Sequence, residues 1–434
     1  MSRRLGKPII ALLLAASANA AEIDSASLAV DLSYGYATEF ETSMLGELDL
    51  QPAATVEISD RVLVTASARL RLDARDDLEP GRPATDTYAS GSRPLVLGTA
   101  GTLEVRDFFV ELVSRNGITR FGKQQIVWGR LDGIKVLDLL NPQNFREFIL
   151  DDFGDSRTGL WSAYTDYNIG NWRTEFAIVP DATSHAIPVD GAWFELTAPR
   201  FRFGADPAQP SLPSITARPG HSLGETAFGL RLSRQAGTAE FAMVAFSGMD
   251  PEPLGRIVSV EGEPMLQRYF ERRDALGVSI DIGLGAAVLR TEYAYQPDRM
   301  FNVRGEAGLD AVALDQHRGA VGIDVEGPFG LFINAQYLVD FINGSPDGLV
   351  RPDEDRIGTL FVRKSFAYDR LIVEARWYRS FTDDDQLVSL GIDYALSDRT
   401  SLSFAMQAFA GTEEGLFGQF AQRDRLLLSL GWTF

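Results

Sequence analysis

The stretch Val62-Leu63-Val64-Thr65-Ala66-Ser67-Ala68-Arg69-Leu70-Arg71-Leu72-Asp73 decides the fold. Val62, Val64, Ala66, Ala68, Leu70 and Leu72 fall on one face of an extended chain. Leu63, Thr65, Ser67, Arg69, Arg71 and Asp73 fall on the other. Successive side chains of a β-strand point to opposite sides, so one face is apolar and the other mostly polar. The same rhythm returns at Leu28, Val30, Leu32, Tyr34 and Tyr36, and at Leu276, Val278, Ile280 and Ile282. It returns again at Leu331, Ile333, Ala335, Tyr337 and Val339, and at Val388, Leu390, Ile392 and Tyr394. Soluble antiparallel sheets also alternate. Here the segments run to about 10–13 residues, against about 5–6 in globular sheets, which is enough for a tilted strand to cross a bilayer.

Working outward, the connections alternate between short and long. Tight turns fall at Ser59-Asp60, Asn116-Gly117, Gly170-Asn171, Ala236-Gly237, Gly283-Leu284-Gly285, Gly327-Pro328, Tyr368-Asp369 and Ser397-Asp398. Longer stretches fall between them, at 74–101, 129–158, 181–223, 249–271 and 297–315. Short periplasmic turns and long extracellular loops characterise outer-membrane barrels. Aromatic residues near strand ends (Tyr34, Tyr36, Trp128, Trp161, Trp172, Tyr293, Tyr295, Trp377 and Trp432) suit girdles at a lipid–water interface. Leu426, Leu428, Leu430, Trp432 and Phe434 alternate to the last residue. A terminal strand ending in phenylalanine resembles the signal read by the barrel-assembly machinery. The expected fold is therefore an all-β transmembrane antiparallel barrel of about 18 strands, within about 16–20, spanning residues 21–434. A barrel that wide encloses water and not a side-chain core.

The N-terminus supports export. Arg3, Arg4 and Lys7 precede the apolar run Ile9 to Ala16, and Ala18-Asn19-Ala20 fits a small-x-small cleavage site, so residues 1–20 read as a signal peptide. No later apolar run approaches the roughly 20 residues of a membrane-spanning helix. The chain has no cysteine, which removes zinc–thiolate and cysteine-nucleophile chemistry. Its net charge of −19 argues against nucleic acid as a partner. Outer-membrane lipid, lipopolysaccharide and a small solute are the expected partners, with a homo-oligomer left open.

The most distinctive segment follows Trp128. It contains Arg130, Asp132, Lys135, Asp138, Arg146, Glu147, Asp151, Asp152, Asp155 and Arg157 among apolar residues. Asn141-Pro142 reads as a helix start, with the cap oxygen on free N–H groups and proline at the first position. Two helical turns are expected over 143–150. A loop this long and this apolar is expected to fold into the lumen over 129–158 and to constrict the pore. Its opposed charges would set a transverse field there. A salt-bridged surface cap is the alternative.

Arg120-Phe121-Gly122-Lys123-Gln124, then Val127-Trp128-Gly129, then Leu137-Asp138-Leu139-Leu140-Asn141-Pro142, resembles a large family of porin-like proteobacterial outer-membrane barrels of unknown function. The likeness covers roughly 118–160, and Lys123 stands where that family more often has arginine. The Gly-basic-Gln run is also similar to alginate-export barrels. The resemblance implies location and fold, and it carries no catalytic residue.

On the lumen face the alternation places Arg69, Arg71, Arg231, Arg290, Glu292, Lys364, Glu374, Arg376, Asp393, Arg423 and Arg425. Their basic excess favours anionic solutes, unless the arginines pair with acidic loop residues. Near Lys123 the alternation breaks, and a β-bulge is expected there. His185, His221 and His317 are the only histidines, and no Gly-x-Ser-x-Gly or His-Glu-x-x-His motif occurs. No cofactor or metal is expected; the pairs Asp151-Asp152 and Asp384-Asp385 lack a calcium-loop spacing. The expected work is passage of small polar or amphiphilic solutes through a porin-like channel. The rivals are a dedicated export or uptake conduit for polysaccharide or hydrophobic compounds, and a barrel-embedded hydrolase.

Overall fold

The computed structural model describes residues 22–434, apart from 82–86, 90, 132, 134, 152, 211, 220–222 and 306–307. The signal segment 1–20 and the side chains of Asp132, Asp152 and His221 lie outside the described residues. Eighteen antiparallel strands form one closed ladder. They are β1 (Glu22–Ala37), β2 (Thr42–Ser59), β3 (Val62–Asp73), β4 (Gly101–Val113), β5 (Gly117–Gln124) and β6 (Leu160–Ile169). Then come β7 (Trp172–Val179), β8 (Ala227–Ala236), β9 (Ala239–Met249), β10 (Arg272–Leu284), β11 (Ala287–Gly305) and β12 (Gly308–Glu326). The last six are β13 (Leu331–Asn343), β14 (Glu354–Phe366), β15 (Leu371–Ser380), β16 (Asp385–Ser397), β17 (Thr400–Ala410) and β18 (Arg425–Thr433).

β18 returns to β1, with Val30 opposite Trp432 and Leu32 opposite Leu430. Closure leaves no open sheet edge, which is the condition for a sheet to sit in hydrocarbon. Alternation sets the two faces: on β10, Leu276 is 59 % exposed and Ala275 1 %. The tight connections cluster at the end that carries the termini, and the long ones at the other. At the long-loop end Leu254–Val260 and Glu263–Tyr269 form a hairpin, joined in parallel by Ser214–Thr216.

Three expectations need correction. The stretch 297–315 is no free loop, because β11 and β12 continue through it to Gly305 opposite Gly308. A register shift between Gln296 and Arg299 takes up Pro297 and Asp298, and the ladder then resumes. The bulge expected at Lys123 lies instead in β4, where Ser67 opposes Asp107 and Ala68 opposes Val105, leaving Arg106 unmatched. Lys364 faces outward: it pairs with Leu331 and with the exposed Val373, and its Nζ donates to the Phe329 carbonyl at the turn. Arg363 takes the inward position, 3.5 Å from Glu374.

Candidate functional site: the segment inside the barrel

The chain between Gln124 and Leu160 runs against the inner wall. Three inward-facing glycines receive it. Trp128 lies on Gly229 of β8, Leu137 on Gly277 of β10, and Leu131 on Gly322 of β12. A Cβ at Gly277 would overlap Leu137, and one at Gly229 would overlap Trp128. Glycine inside a strand commonly marks such a close approach. Ile126, Val136, Leu139 and Leu140 complete a dry cluster with Tyr164, Val244, Phe246 and Ala294 of the wall. Each fully buried apolar side chain of this size contributes about 1.5–3 kcal/mol. Trp128, expected in an interfacial girdle, is thus a buried anchor at 2 % exposure.

Polar groups fix the segment's course. Glu292 of β11 accepts the N–H of Arg130 at 2.5 Å and that of Leu137 at 3.1 Å. Asn141 ties the two ends together: Oδ1 accepts from Ile126 N at 2.8 Å and Nδ2 donates to Thr158 O at 2.8 Å. The helix expected over 143–150 is absent. Gln143 bridges Arg157 and Asn144 bridges Ala186, so the backbone there is spent on β-bridges. The one α-helical turn among the described residues is Phe153–Ser156. Asn141-Pro142 still reads as a cap by composition, but its amide is used as a clamp.

The charges expected to face one another across a pore are mostly paired into the wall. Arg146, 2 % exposed, reaches Glu47 at 2.5 Å, Glu79 at 2.9 Å, Glu147 at 3.2 Å and Asp73 at 3.6 Å. Arg425 holds Glu147 at 2.7 Å, and with Arg146 it keeps that carboxyl down near 2 despite burial. Arg130 meets Glu240 at 2.5 Å and Asp281 at 3.8 Å. Arg157 meets Asp138 at 2.6 Å. Asp155 lies 3.8 Å from Arg69 and 3.7 Å from Arg106, and the bulge in β4 aims Arg106 at the Gly154 carbonyl, 2.6 Å away. Among the wall arginines, Arg69 pairs with Asp49, Arg71 with Glu47, Arg231 with Glu175 and Arg290 with Asp324. Reading the basic face alone missed these acids. Their signal was present, since Glu47 and Asp49 share an alternation with Leu48 and Leu50 one strand away. Arg423 is no wall residue; it stacks over Phe40 and Trp193 in the outer loops.

The other side of the barrel differs. The tip at Gly133 reaches Tyr378 of β15, and a cavity of ≈ 570 Å³ opens between the segment and β12–β15. Lys135, Asp138 and Asp151 face it from the segment, and Asn334, Phe361 and Arg376 from the wall. Arg376 stacks over Phe361 at 5.2 Å and lies 3.1 Å from Glu374. Burial depresses the Lys135 ammonium to about 8. Burial, reinforced by Glu147, pushes the Asp151 carboxyl up to about 7. Burial also holds His185 down near 4, so its Nδ1 accepts from Gln143 N at 2.8 Å. At the outer end Phe148, Trp193, Phe194, Phe409, Phe417 and Phe420 form a second apolar cluster. Among the described residues no three His, Cys, Asp or Glu side chains gather as metal ligands.

A closed ladder with an apolar outside and a charged, segment-filled inside defines a transmembrane β-barrel of the outer-membrane type. Solved structures of such barrels share the fold. OccAB1 of Acinetobacter baumannii superposes with a TM-score of 0.53 at 10 % identity, over 95 % of this chain and 96 % of that one. OccAB3 of the same species gives 0.52 at 10 % identity, over 94 % and 98 %. OccD3 (OpdP) of Pseudomonas aeruginosa gives 0.51 at 9 % identity, over 96 % and 91 %. No protein-family model and no curated protein matches this chain, so the resemblance carried by residues 118–160 rests on those residues alone.

Proposed function

We propose that this protein is an outer-membrane channel for small polar or amphiphilic solutes, with 129–158 as its constriction. One observation carries the reading. The segment is fastened to the β8–β12 half of the wall, yet a cavity remains along β12–β15. Water and solute pass on the side where the segment stands off the wall. The charged residues that meet them there are Lys135, Asp151 and Arg376, with Asp138 behind them on Arg157. Most of the lumen arginines are paired, so the net selectivity of this path is weaker than the basic count of the wall suggests. The termini and tight turns face the periplasm, Phe434 serves barrel assembly, and residues 1–20 are removed on export.

The aromatic cluster at the outer end supports a second reading, a conduit that stays shut until a partner or substrate displaces the loops. Single-channel recording in planar bilayers separates the two. Ordinary salt sustains a stable open current for the channel. Silence until residues 130–158, with Phe148 of that cluster, are deleted would favour the gated conduit. No current from either protein would overturn both.

A further inference from the structure

Away from the lumen, the small sheet at the long-loop end has an open edge. Leu254–Val260 pairs with Glu263–Tyr269 across the tight turn Glu261-Gly262, whose φ values of 54° and 93° suit a short hairpin. Ser214–Thr216 covers the far side of Glu263–Tyr269. Among the described residues no strand covers the far side of Leu254–Val260.

The register tells which backbone groups point that way. Along an antiparallel pair, alternate residues turn their N–H and C=O toward the partner strand and away from it. Gly255 turns away: its N–H donates to Asn302 Oδ1 at 2.8 Å, and its C=O accepts from Asn302 Nδ2 at 2.6 Å. Pro264, opposite Ser259, has no N–H to give, which agrees with that phase. Ile257 and Ser259 therefore turn away as Gly255 does. Among the described residues no hydrogen bond reaches their outward groups.

Asn302 shows what this edge takes. Its amide meets Gly255 as the peptide unit of a neighbouring strand would, with one acceptor and one donor. The β11–β12 hairpin supplies that amide at Gly255 alone. Beyond it Arg256, Ile257, Ser259 and Val260 are exposed, Ile257 to 50 %. The usual guards of a free edge are missing, since no proline, lysine or bulge interrupts Arg256–Val260. Its one charge is drawn aside: Arg256 stacks over Tyr269 at 4.8 Å and donates to Gln267 at 2.7 Å. The exposed charges around the edge are acidic. Glu261 and Glu263 flank the turn, and Asp310, whose carbonyl also accepts from Asn302, lies at the other end.

We propose that Arg256–Val260 is a docking edge for an extended, basic segment of a partner polypeptide, which joins the sheet as a further strand through Ile257 and Ser259. The proposal goes beyond the channel reading and borrows only its orientation, which puts this edge outside the cell.

Fluorescence anisotropy tests it, with the full barrel in zwitterionic lipid nanodiscs and the labelled peptide Lys-Val-Thr-Val-Thr-Val-Lys. One control peptide is N-methylated at every interior amide, and another has glutamate in place of both lysines. The parent peptide binds at least about tenfold more tightly than either control. Ile257→Pro and Ser259→Pro each weaken it at least about tenfold, because proline removes an outward N–H and spares the ladder to Glu263–Tyr269. Absence of saturable binding, or equal binding of the N-methylated peptide, overturns the proposal. So does unchanged affinity in proline variants that migrate as folded barrels. If those variants fail to fold, the peptides on the wild-type protein decide alone. Barrels that pair with each other, and lose that pairing in Ile257→Pro, would give the edge to a second copy and overturn the peptide as its occupant. Binding is read without current, so a barrel that conducts but does not bind sinks this proposal and leaves the channel reading standing. One that binds but never conducts does the reverse.

Discussion

The two halves of the lumen wall treat the same segment differently. On β8, β10 and β12, glycines let Trp128, Leu137 and Leu131 settle against the backbone, and Glu292 holds the segment's N–H groups. On β12–β15 the wall carries Phe332, Phe361, Arg376 and Tyr378, and a gap of ≈ 570 Å³ is left. The difference teaches how a wide barrel is narrowed without being filled. Small residues on one side draw the loop close, and bulky or charged residues on the other leave a gap.

The comparison breaks most severely at Arg146. Arg146→Met removes the cation shared by Glu47, Asp73, Glu79 and Glu147, leaving Arg71 and Arg425 to hold the four carboxylates. Removing one member of a buried charge cluster costs about 3–5 kcal/mol. The temperature at which the barrel loses its folded mobility in gel electrophoresis falls accordingly; an unchanged transition would show that these charges are solvated.

Gly277→Leu comes next. It overfills the Leu137 socket at a cost of about 1–3 kcal/mol and pushes the segment toward β13–β15. Single-channel conductance falls or grows noisy. The same change at Gly319, with no neighbour closer than 3.9 Å, serves as the mild control. Equal effects at the two sites would refute a specific socket.

Asp151 gives a smaller, pH-dependent effect. Its folded pKa is raised toward 7 from 3.8, so the folded state binds the proton more tightly than the unfolded one. The stability this lends is present below the unfolded value and is lost as pH rises through about 4 to 7. Beyond that window the ionised carboxylate faces Glu147, with Arg71, Arg69 and Arg146 in opposition. The segment therefore loosens toward alkaline pH, read as larger current fluctuations at pH 8 than at pH 5. Asp151→Asn flattens that dependence, and a profile unchanged by the substitution would exclude Asp151 as its source.

The smallest effect is expected at Lys364. Lys364→Gln leaves the reversal potential in a salt gradient unchanged, because the side chain lies on the outer face at a turn. Arg376→Gln shifts it toward cations. A shift from Lys364→Gln as large as that from Arg376→Gln would contradict the face assignment.

The barrel wall was legible because lipid and water impose opposite demands on alternate residues, and stretches such as Val62–Asp73 obey both. What failed did so where the alternation was interrupted or reused. Pro297-Asp298 looked like a loop and is a bulge within a continuing hairpin. Trp128 resembled an interfacial aromatic because composition cannot distinguish a girdle from a socket. Only the glycines at 229, 277 and 322 on otherwise regular strands signalled that something lies against the wall. Asn141-Pro142 had the composition of a helix cap, but tertiary hydrogen bonds to Ile126 and Thr158 claimed the amide. Ion-pair partners were hidden because the acids lie one strand away in space and about twenty residues away in the chain, as Asp49 does from Arg69.

The chain has no cysteine, so a single engineered pair can report where the segment sits. Leu137→Cys with Gly277→Cys places two thiols at the closest of the three sockets. Mild oxidation should join them in the folded barrel and leave the single-channel current as it was, since the proposed path lies on the opposite side. Thiols that stay free in a folded barrel, or a current that stops once they are joined, would contradict the fastening of the segment to this wall and the path along the other.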